Sequence, residues 1–365
     1  MKKISDERFM REALKLAEIR KGLTHPNPTV GAVVVKDGKI IGKGFHKKAG
    51  MPHAEREAID DAVRKGFNIE GSTMYVTLEP CCHHGRTPPC TEAIIDKKIK
   101  RVVIATEDPN PEVSGRGIEI LKKNGIETVV GLLKEEAEKL NEDFFVYMKE
   151  KRPFIHIKIA QSIDGKIATK TGSSKWITSE ESRRYVQKLR KESTAVMVGT
   201  NTVLKDNPEL TVRYIETDSQ PLRVVLDKNL IIPENFNVFN RSSKTILFTS
   251  ETADRKAVNR LEKKGIQVVK LPLNQGMFDL YDILFHLYSM GVVQLFVEGG
   301  KNLITQFLRK NIFDRISVFV APKIIGEDGL SSFGKLGIEN IEKSIKLNLE
   351  DIKRLENDIL IQLKP

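Results

Sequence analysis

The stretch Thr77-Leu-Glu-Pro-Cys-Cys-His-His-Gly-Arg-Thr-Pro-Pro-Cys90 constrains this chain more than any other, because all three of its cysteines lie there. Thiols this close, with none elsewhere in 365 residues, point to a metal site rather than a disulfide framework. Upstream, Pro52-His53-Ala54-Glu55 opens a helical segment. One imidazole and two thiolates can hold zinc and leave its fourth position to water, while a carboxylate that does not ligate moves protons. The alternative, small buried cysteines beside surface histidines, leaves their concentration in a single proline-rich loop unexplained.

His53 and Glu55 stand two apart, a spacing that splays side chains on a mid-helix surface. They converge only at a helix start, where Pro52 holds the entry extended. His-x-Glu followed by Pro-Cys-x-x-Cys is the arrangement of zinc deaminases that act on nucleobases. His53-Ala54-Glu55 and Pro80-Cys81 match it, but positions 82–84 are Cys-His-His, and Cys90 is the remaining cysteine. Adjacent Cys81 and Cys82 would chelate one ion under strain, so the expected pair is Cys81 with Cys90. His83 and His84 are then expected to be loop or substrate contacts.

Length favours two domains. Periodicity and turn residues predict a helix over 6–21 and a hairpin, 30–35 with 40–45, around Asp37-Gly38. Further helices are expected over 54–65, 91–98, 117–123 and 134–149, with strands over 73–78, 101–106 and 127–130. This alternation implies a mixed sheet with helices on both faces. Lys151-Arg152-Pro153 breaks it, so the domains are expected to be 1–150 and 151–365. The second half alternates strands at 154–160, 195–199, 222–226, 244–249, 266–270, 293–297 and 316–321 with helices at 180–192, 253–264, 279–290 and 302–310. Strands at 345–350 and 358–363 close it.

No Gly-x-Gly-x-x-Gly follows a strand; Gly115-Arg-Gly117 reaches Ile120 where a third glycine belongs, which argues against a Rossmann dinucleotide site. Glu298-Gly299-Gly300 instead joins a buried-type strand to a helix start, where free N–H groups favour phosphate. The charge, 60 basic against 49 acidic residues, is diffuse and forms no basic run, so a solvated surface is expected rather than a nucleic-acid or membrane face. No apolar stretch approaches a membrane span or a signal h-region, and a cytoplasmic enzyme is expected.

Pro-His-Ala-Glu together with the Thr77–Cys90 stretch resembles the bifunctional riboflavin-biosynthesis deaminase/reductase family, in which His-His-Gly-Arg-Thr-Pro-Pro separates the ligand cysteines. His25-Pro-Asn-Pro-Thr-Val-Gly31, Ile159-Ala-Gln-Ser-Ile-Asp-Gly-Lys-Ile-Ala168, Ser174-Lys-Trp-Ile-Thr-Ser179 and Gly199-Thr-Asn-Thr-Val-Leu-Lys-Asp-Asn-Pro208 extend the resemblance over essentially the whole chain. It implies a cytidine-deaminase-like three-layer α/β/α domain followed by a dihydrofolate-reductase-like α/β domain. It implies one Zn2+ per chain on His53, Cys81 and Cys90, with Glu55 as proton shuttle and Asn27 near the pyrimidine. Cys82 stands where family members often carry Ser and is not an implied ligand.

In the second domain the resemblance implies NADPH contacts at Ala160, Trp176, Thr202, Asp206 and the turn Gly300, Lys301 and Asn302. It implies substrate contacts at Ser174, Arg190, Leu210, Arg213 and Glu298, and a homo-oligomer. The implied reactions are hydrolytic deamination of 2,5-diamino-6-(5-phosphoribosylamino)pyrimidin-4-one, then reduction of its ribosyl chain to ribityl. Arg190 and Arg213 suit a sugar phosphate, which guanidinium binds bidentately. Trp176 is the only tryptophan, and core packing is the default for such a residue.

Two other classes make different demands. A nucleobase or tRNA deaminase with an appended domain requires a basic stripe beside the metal. A structural zinc module would close the site with a fourth protein ligand, Cys82 or His84, and leave Glu55 without a purpose.

Overall fold

The computed structural model describes residues 2–84 and 88–365, with side chains from Asp6 onward; Gly85, Arg86 and Thr87 of the insertion lie outside the described residues. The chain divides into two units, Met1–Lys151 and Arg152–Pro365, one residue beyond the expected break.

In the first unit, α1 (Lys2–Glu18) precedes β1 (Gly31–Lys36) and β2 (Lys39–Phe45), and α2 (Ala54–Arg64) leads to β3 (Thr73–Val76). Then come α3 (Cys90–Asp96), β4 (Arg101–Ile104), α4 (Arg116–Lys123), β5 (Glu127–Val130), α5 (Lys134–Leu140) and α6 (Glu142–Glu150). The sheet order is β2-β1-β3-β4-β5, antiparallel on both sides of β1 and parallel from β3 to β5. Strand periodicity builds the layers: Ala32 and Val34 of β1 pack with α2, α3 and α4, while Val33 and Val35 pack with α1 and α5. Asp37 and Gly38 turn the hairpin, both at positive φ, as a two-residue connection requires.

Two glycines of β2 draw α2 onto the sheet. A Cβ on Gly42 would lie 2.1 Å from the Ala58 carbonyl oxygen, and one on Gly44 2.3 Å from that of Ala54. The start of α2, with His53 and Glu55, is thereby held against the strand ends. The helix expected over 134–149 is two helices, because Asn141 leaves helical geometry (φ −114°). Its side chain reaches a different segment: Oδ1 accepts the Thr29 N–H at 2.8 Å and Nδ2 donates to the Thr29 carbonyl at 2.9 Å.

The second unit opens with β6 (Phe154–Ser162), β7 (Lys166–Ala168), α7 (Glu180–Lys191), β8 (Ala195–Gly199), α8 (Thr200–Asp206) and β9 (Leu222–Leu226). It continues through β10 (Thr245–Ser250), α9 (Arg255–Lys263), β11 (Gln267–Leu271), β12 (Leu273–Asn274), β13 (Met277–Phe278) and α10 (Leu280–Ser289). It ends with β14 (Gln294–Val297), α11 (Lys301–Arg309), β15 (Arg315–Ala321), β16 (Leu330–Ser331), β17 (Asn348–Leu355) and β18 (Asp358–Lys364). The sequence pattern misses α8 and the short strands, and it places β17 three residues early.

The main sheet has the order β11-β10-β9-β8-β14-β6-β15-β18-β17, parallel from β11 to β15 and antiparallel through β18 and β17. Helices α10 and α11 cover one face; α7, α8 and α9 cover the other. Strand β14, late in sequence, inserts between β8 and β6, so the connections from these strands diverge at their carboxyl ends. An open parallel sheet offers a crevice for ligand at such a point. Among the described residues no helix is long and apolar enough to cross a membrane.

Candidate active sites

In the first unit, His53 is the N-cap of α2, extended at φ −76° and ψ 165°, and Cys90 is the first residue of α3. His53 Nδ1 lies 3.4 Å from Cys81 Sγ and 3.4 Å from Cys90 Sγ, and the three donor atoms lie within 4.8 Å of one another. Tetrahedral zinc with ordinary Zn–N and Zn–S bonds separates neighbouring N and S ligands by about 3.5 Å, so this donor set fits the ion. The Cys90 N–H donates to Cys81 Sγ at 3.3 Å, and the Thr91 N–H to the Cys81 carbonyl at 3.2 Å. The Cys81 thiol is pushed down to about 4, foremost by its hydrogen bond with Cys90, with His53 adding to it. Cys90 moves well up, through the same hydrogen bond and then burial.

Glu55 is only 3% exposed and stands outside the donor group. Burial above all, with the Cys81 charge, pushes its carboxyl up to about 7. Cys82, His83 and His84 do not join the donor group among the described residues. Cys82 is half-buried, His83 is exposed, and His84 Nε2 lies 3.3 Å from Glu92 Oε1 at the surface. Three donors that could hold a metal, with a buried carboxylate outside the set, suit an open site rather than a closed structural one.

Sequence reasoning missed three residues around this cluster. His46, at the end of β2, is buried and packs edge-on to His53 with ring centroids 5.3 Å apart. Its Nδ1 lies 3.2 Å from the Pro52 carbonyl, which can only accept, so Nε2 accepts from Asn27 Nδ2 at 3.1 Å. That contact orients the Asn27 amide. Glu79 is buried beneath the cysteine loop and accepts four backbone N–H groups, those of Asp108, Gly115, Gly117 and Ile118. Asp108 is buried beside it, and burial pushes its carboxyl up to about 6. The Glu79 partners lie 29 or more positions away and Asn27 lies 19 from His46, distances that a local pattern does not report.

In the second unit the carboxyl ends of β8, β9 and β14 open into a cleft of ≈ 1390 Å³. Ala160, Ser174, Trp176, Arg190, Thr202, Asp206, Leu210, Arg213, Glu298, Gly300, Lys301 and Asn302 all line it. Its walls carry eleven lysines and arginines against five carboxylates. A basic excess that looks diffuse along the sequence is therefore gathered in part at this cleft, where it favours an anionic ligand. The volume exceeds what one small ligand fills.

Trp176 is not a core residue. It is 62% exposed at the cleft, with the Arg183 guanidinium 4.5 Å above its ring. Arg190 is buried and paired with Glu298: Nε donates to Oε1, Nη2 donates to Oε2 at 3.0 Å, and Nη1 donates to the Thr211 carbonyl at 2.9 Å. Burial raises Glu298, yet Arg190 and Lys158 outweigh it and hold the carboxyl below its ordinary value. Lys158, also unforeseen, lines the same cleft, and burial lowers the pKa of its ammonium. The Gly300 N–H donates to Thr202 Oγ1 at 3.1 Å and joins the starts of α11 and α8.

Comparison with known proteins covers both units. The family model for the cytidine and deoxycytidylate deaminase zinc-binding region matches residues 3–106, and that for the RibD C-terminal domain matches residues 153–361. Riboflavin biosynthesis protein RibD of Aquifex aeolicus is 53% identical, with 98% of each chain covered. That of Escherichia coli is 37% identical, with 99% of each covered. A crystal structure of a diaminohydroxyphosphoribosylaminopyrimidine deaminase/5-amino-6-(5-phosphoribosylamino)uracil reductase from Thermotoga maritima superposes with a TM-score of 0.89, at 41% identity over 100% of both chains. Acinetobacter baumannii RibD superposes with a TM-score of 0.91, at 35% identity over 100% of this chain and 99% of that one.

Proposed function

This chain belongs to the RibD family of riboflavin biosynthesis, enzymes that join a zinc-binding deaminase to a reductase, and on that premise we propose how its residues divide the two reactions. The deaminase substrate is 2,5-diamino-6-(5-phosphoribosylamino)pyrimidin-4-one. His53, Cys81 and Cys90 would hold zinc, which when bound would supply Lewis acidity to a water. Glu55 takes the proton of the attacking water and delivers it to the departing amine. Its burial keeps its proton affinity near neutrality, where one carboxyl can both accept and donate. Asn27, held by His46, orients the pyrimidine through its amide.

In the second unit the deaminated product, 5-amino-6-(5-phosphoribosylamino)uracil, lies between Ser174, Leu210, Arg213 and the Arg190–Glu298 pair. Ala160, Trp176, Thr202, Asp206 and the Gly300–Asn302 turn would hold NADPH along the remaining wall, and the cofactor when bound would supply hydride for the opened ribosyl chain. Lys158 lines the same cleft, and its weakened hold on a proton suits it to donate the proton that completes the reduction.

The observation that carries the deaminase reading is the buried Glu55 carboxyl beside a three-donor cluster of which it is not a member. Glu55→Gln tests it. Ammonia release should fall roughly 10²- to 10⁴-fold, with one zinc per chain retained and reduction of supplied deaminated substrate unchanged. Near-normal ammonia release would remove Glu55 from the mechanism.

A further inference from the structure

The segment from Asn207 to Tyr214, between α8 and β9, brings Leu210 and Arg213 to the reductase cleft. It holds an unusual path: Asn207, Leu210 and Tyr214 have φ of 42°, 56° and 67°, a region that disfavours side chains such as leucine. Such conformations persist only where the surroundings over-determine them.

Here the surroundings are side chains from other elements. Arg223 of β9 is fully buried and donates from Nε to the Glu209 carbonyl at 2.8 Å. Arg190 of α7 donates to the Thr211 carbonyl. Gln220 pairs with both backbone groups of Val212: its Oε1 accepts the N–H at 2.7 Å and its Nε2 donates to the carbonyl at 3.2 Å. Gln187 of α7 accepts the Arg213 N–H at 2.9 Å. At the outer end, Asn237 donates its backbone and side-chain N–H to Asn207 at 2.7 and 2.8 Å.

A two-sided amide lock such as Gln220–Val212 imitates a strand partner and fixes both the height and the twist of the chain there. The adjoining Thr211 carbonyl is held by the same guanidinium that pairs with Glu298, so the loop and the end of β14 share one set of hydrogen bonds. Neither Gln220 nor Arg223 lines the cleft.

We propose that Gln220, together with Arg223, is a positioning residue for substrate recognition: the two hold Glu209–Arg213 in advance in the form that presents the Leu210 main chain and the Arg213 guanidinium to the phosphorylated sugar chain. The proposal rests on the reading of this cleft as the reductase site. A preorganised loop lowers the ordering cost of binding this one ligand and leaves the far wall, where the dinucleotide lies, untouched.

Gln220 is exposed at the surface, so its replacement leaves the core intact. In Gln220→Ala, KM for 5-amino-6-(5-phosphoribosylamino)uracil should rise about tenfold, while kcat moves less than about twofold and KM for NADPH stays at the wild-type value. Gln220→Glu, which keeps the acceptor for Val212 N–H and loses the donor, should fall between the two. The retained kcat and the wild-type KM for NADPH in the same samples check that the second unit is folded. An unchanged substrate KM, or substrate and NADPH KM rising together, overturns the proposal. Arg213→Ala separates it from its premise: if that variant also leaves substrate KM unchanged, the substrate reading of the cleft fails. If Arg213→Ala raises KM and Gln220→Ala does not, only the positioning role fails.

Discussion

Glu79 Oε1 accepts the Gly117 N–H at 2.9 Å and fastens the base of the cysteine loop to the first turn of α4. The same carboxylate collects the N–H groups of Asp108, Gly115 and Ile118 at 2.9–3.3 Å. In many α/β proteins a glycine-bearing helix start like this one receives a phosphate. Here an internal carboxylate occupies it, so the Gly115-Arg116-Gly117 fragment serves the metal loop and not a dinucleotide.

Gly117 is required for that approach, because a Cβ there would lie 2.2 Å from the Pro80 carbonyl oxygen. Gly117→Ala must push Pro80, and with it Cys81, away from His53. Zinc affinity, measured by competition with a chromophoric chelator, should drop, and ammonia release should fall on the order of 10²-fold, as for misplacement by about 1 Å. Reduction of supplied substrate should continue. Wild-type zinc affinity in this variant would show that the loop is not held through α4.

Removing the metal should expose one reactive thiol. With Cys81 held as thiolate by Cys90 and His53, and Cys90 buried and protonated, alkylation at pH 6 should label Cys81 in chelator-treated protein. Burial raises Cys82, so it should react slowly at that pH. Zinc-loaded protein should resist. Mass mapping of the adducts checks this, and labelling of Cys82 ahead of Cys81 would contradict the charge assignment.

Asp108 gives a pH dependence of stability. Its folded pKa, about 6, lies above the ordinary 3.8, so the folded state favours the protonated carboxyl. That stability is fully present below pH 4 and is lost as the pH rises through 6. Asp108→Asn keeps the acceptor for the Asn110 N–H without the charge. Its advantage over wild type should be near zero at pH 4 and reach on the order of 2 kcal/mol by pH 8, read from urea unfolding at the two pH values. An equal advantage at both would exclude titration of Asp108.

What was legible in the sequence follows from the range of the interactions. Asp37-Gly38 turns the hairpin by its own backbone preferences, and alternation along β1 sorts its residues between two cores. His53 and Glu55 could be read as a pair because both belong to one helix start. The break at Asn141 was not legible, since it depends on Thr29 more than a hundred positions away. His46, Glu79 and Lys158 gave no signal for the same reason. The residues lining the reductase cleft were picked out by resemblance to a family; periodicity alone offered only the Glu298-Gly299-Gly300 turn. Residue type alone suits Arg190 to a sugar phosphate, whereas its guanidinium is committed to Glu298 and the Thr211 carbonyl.

That commitment separates stability from function in the reductase site. Arg190 is 7% exposed, and a buried ion pair broken from one side leaves an uncompensated charge. Arg190→Met should therefore destabilise the protein by about 3–5 kcal/mol. Because Glu298 sits below its ordinary pKa, the stability its pair contributes is present at neutral pH and is lost as the pH falls through the folded value. The single variant should accordingly lose more, relative to wild type, at pH 7 than at pH 3. Adding Glu298→Leu removes the stranded carboxylate and should recover most of the loss, since apolar replacement of a buried pair is often neutral. Reduction should remain abolished in the double variant, because Lys158 then lacks its counter-charge and Thr211 its donor. Unfolding and NADPH oxidation measured on the same samples decide it: a stable, active double variant would reduce the Arg190–Glu298 pair to packing.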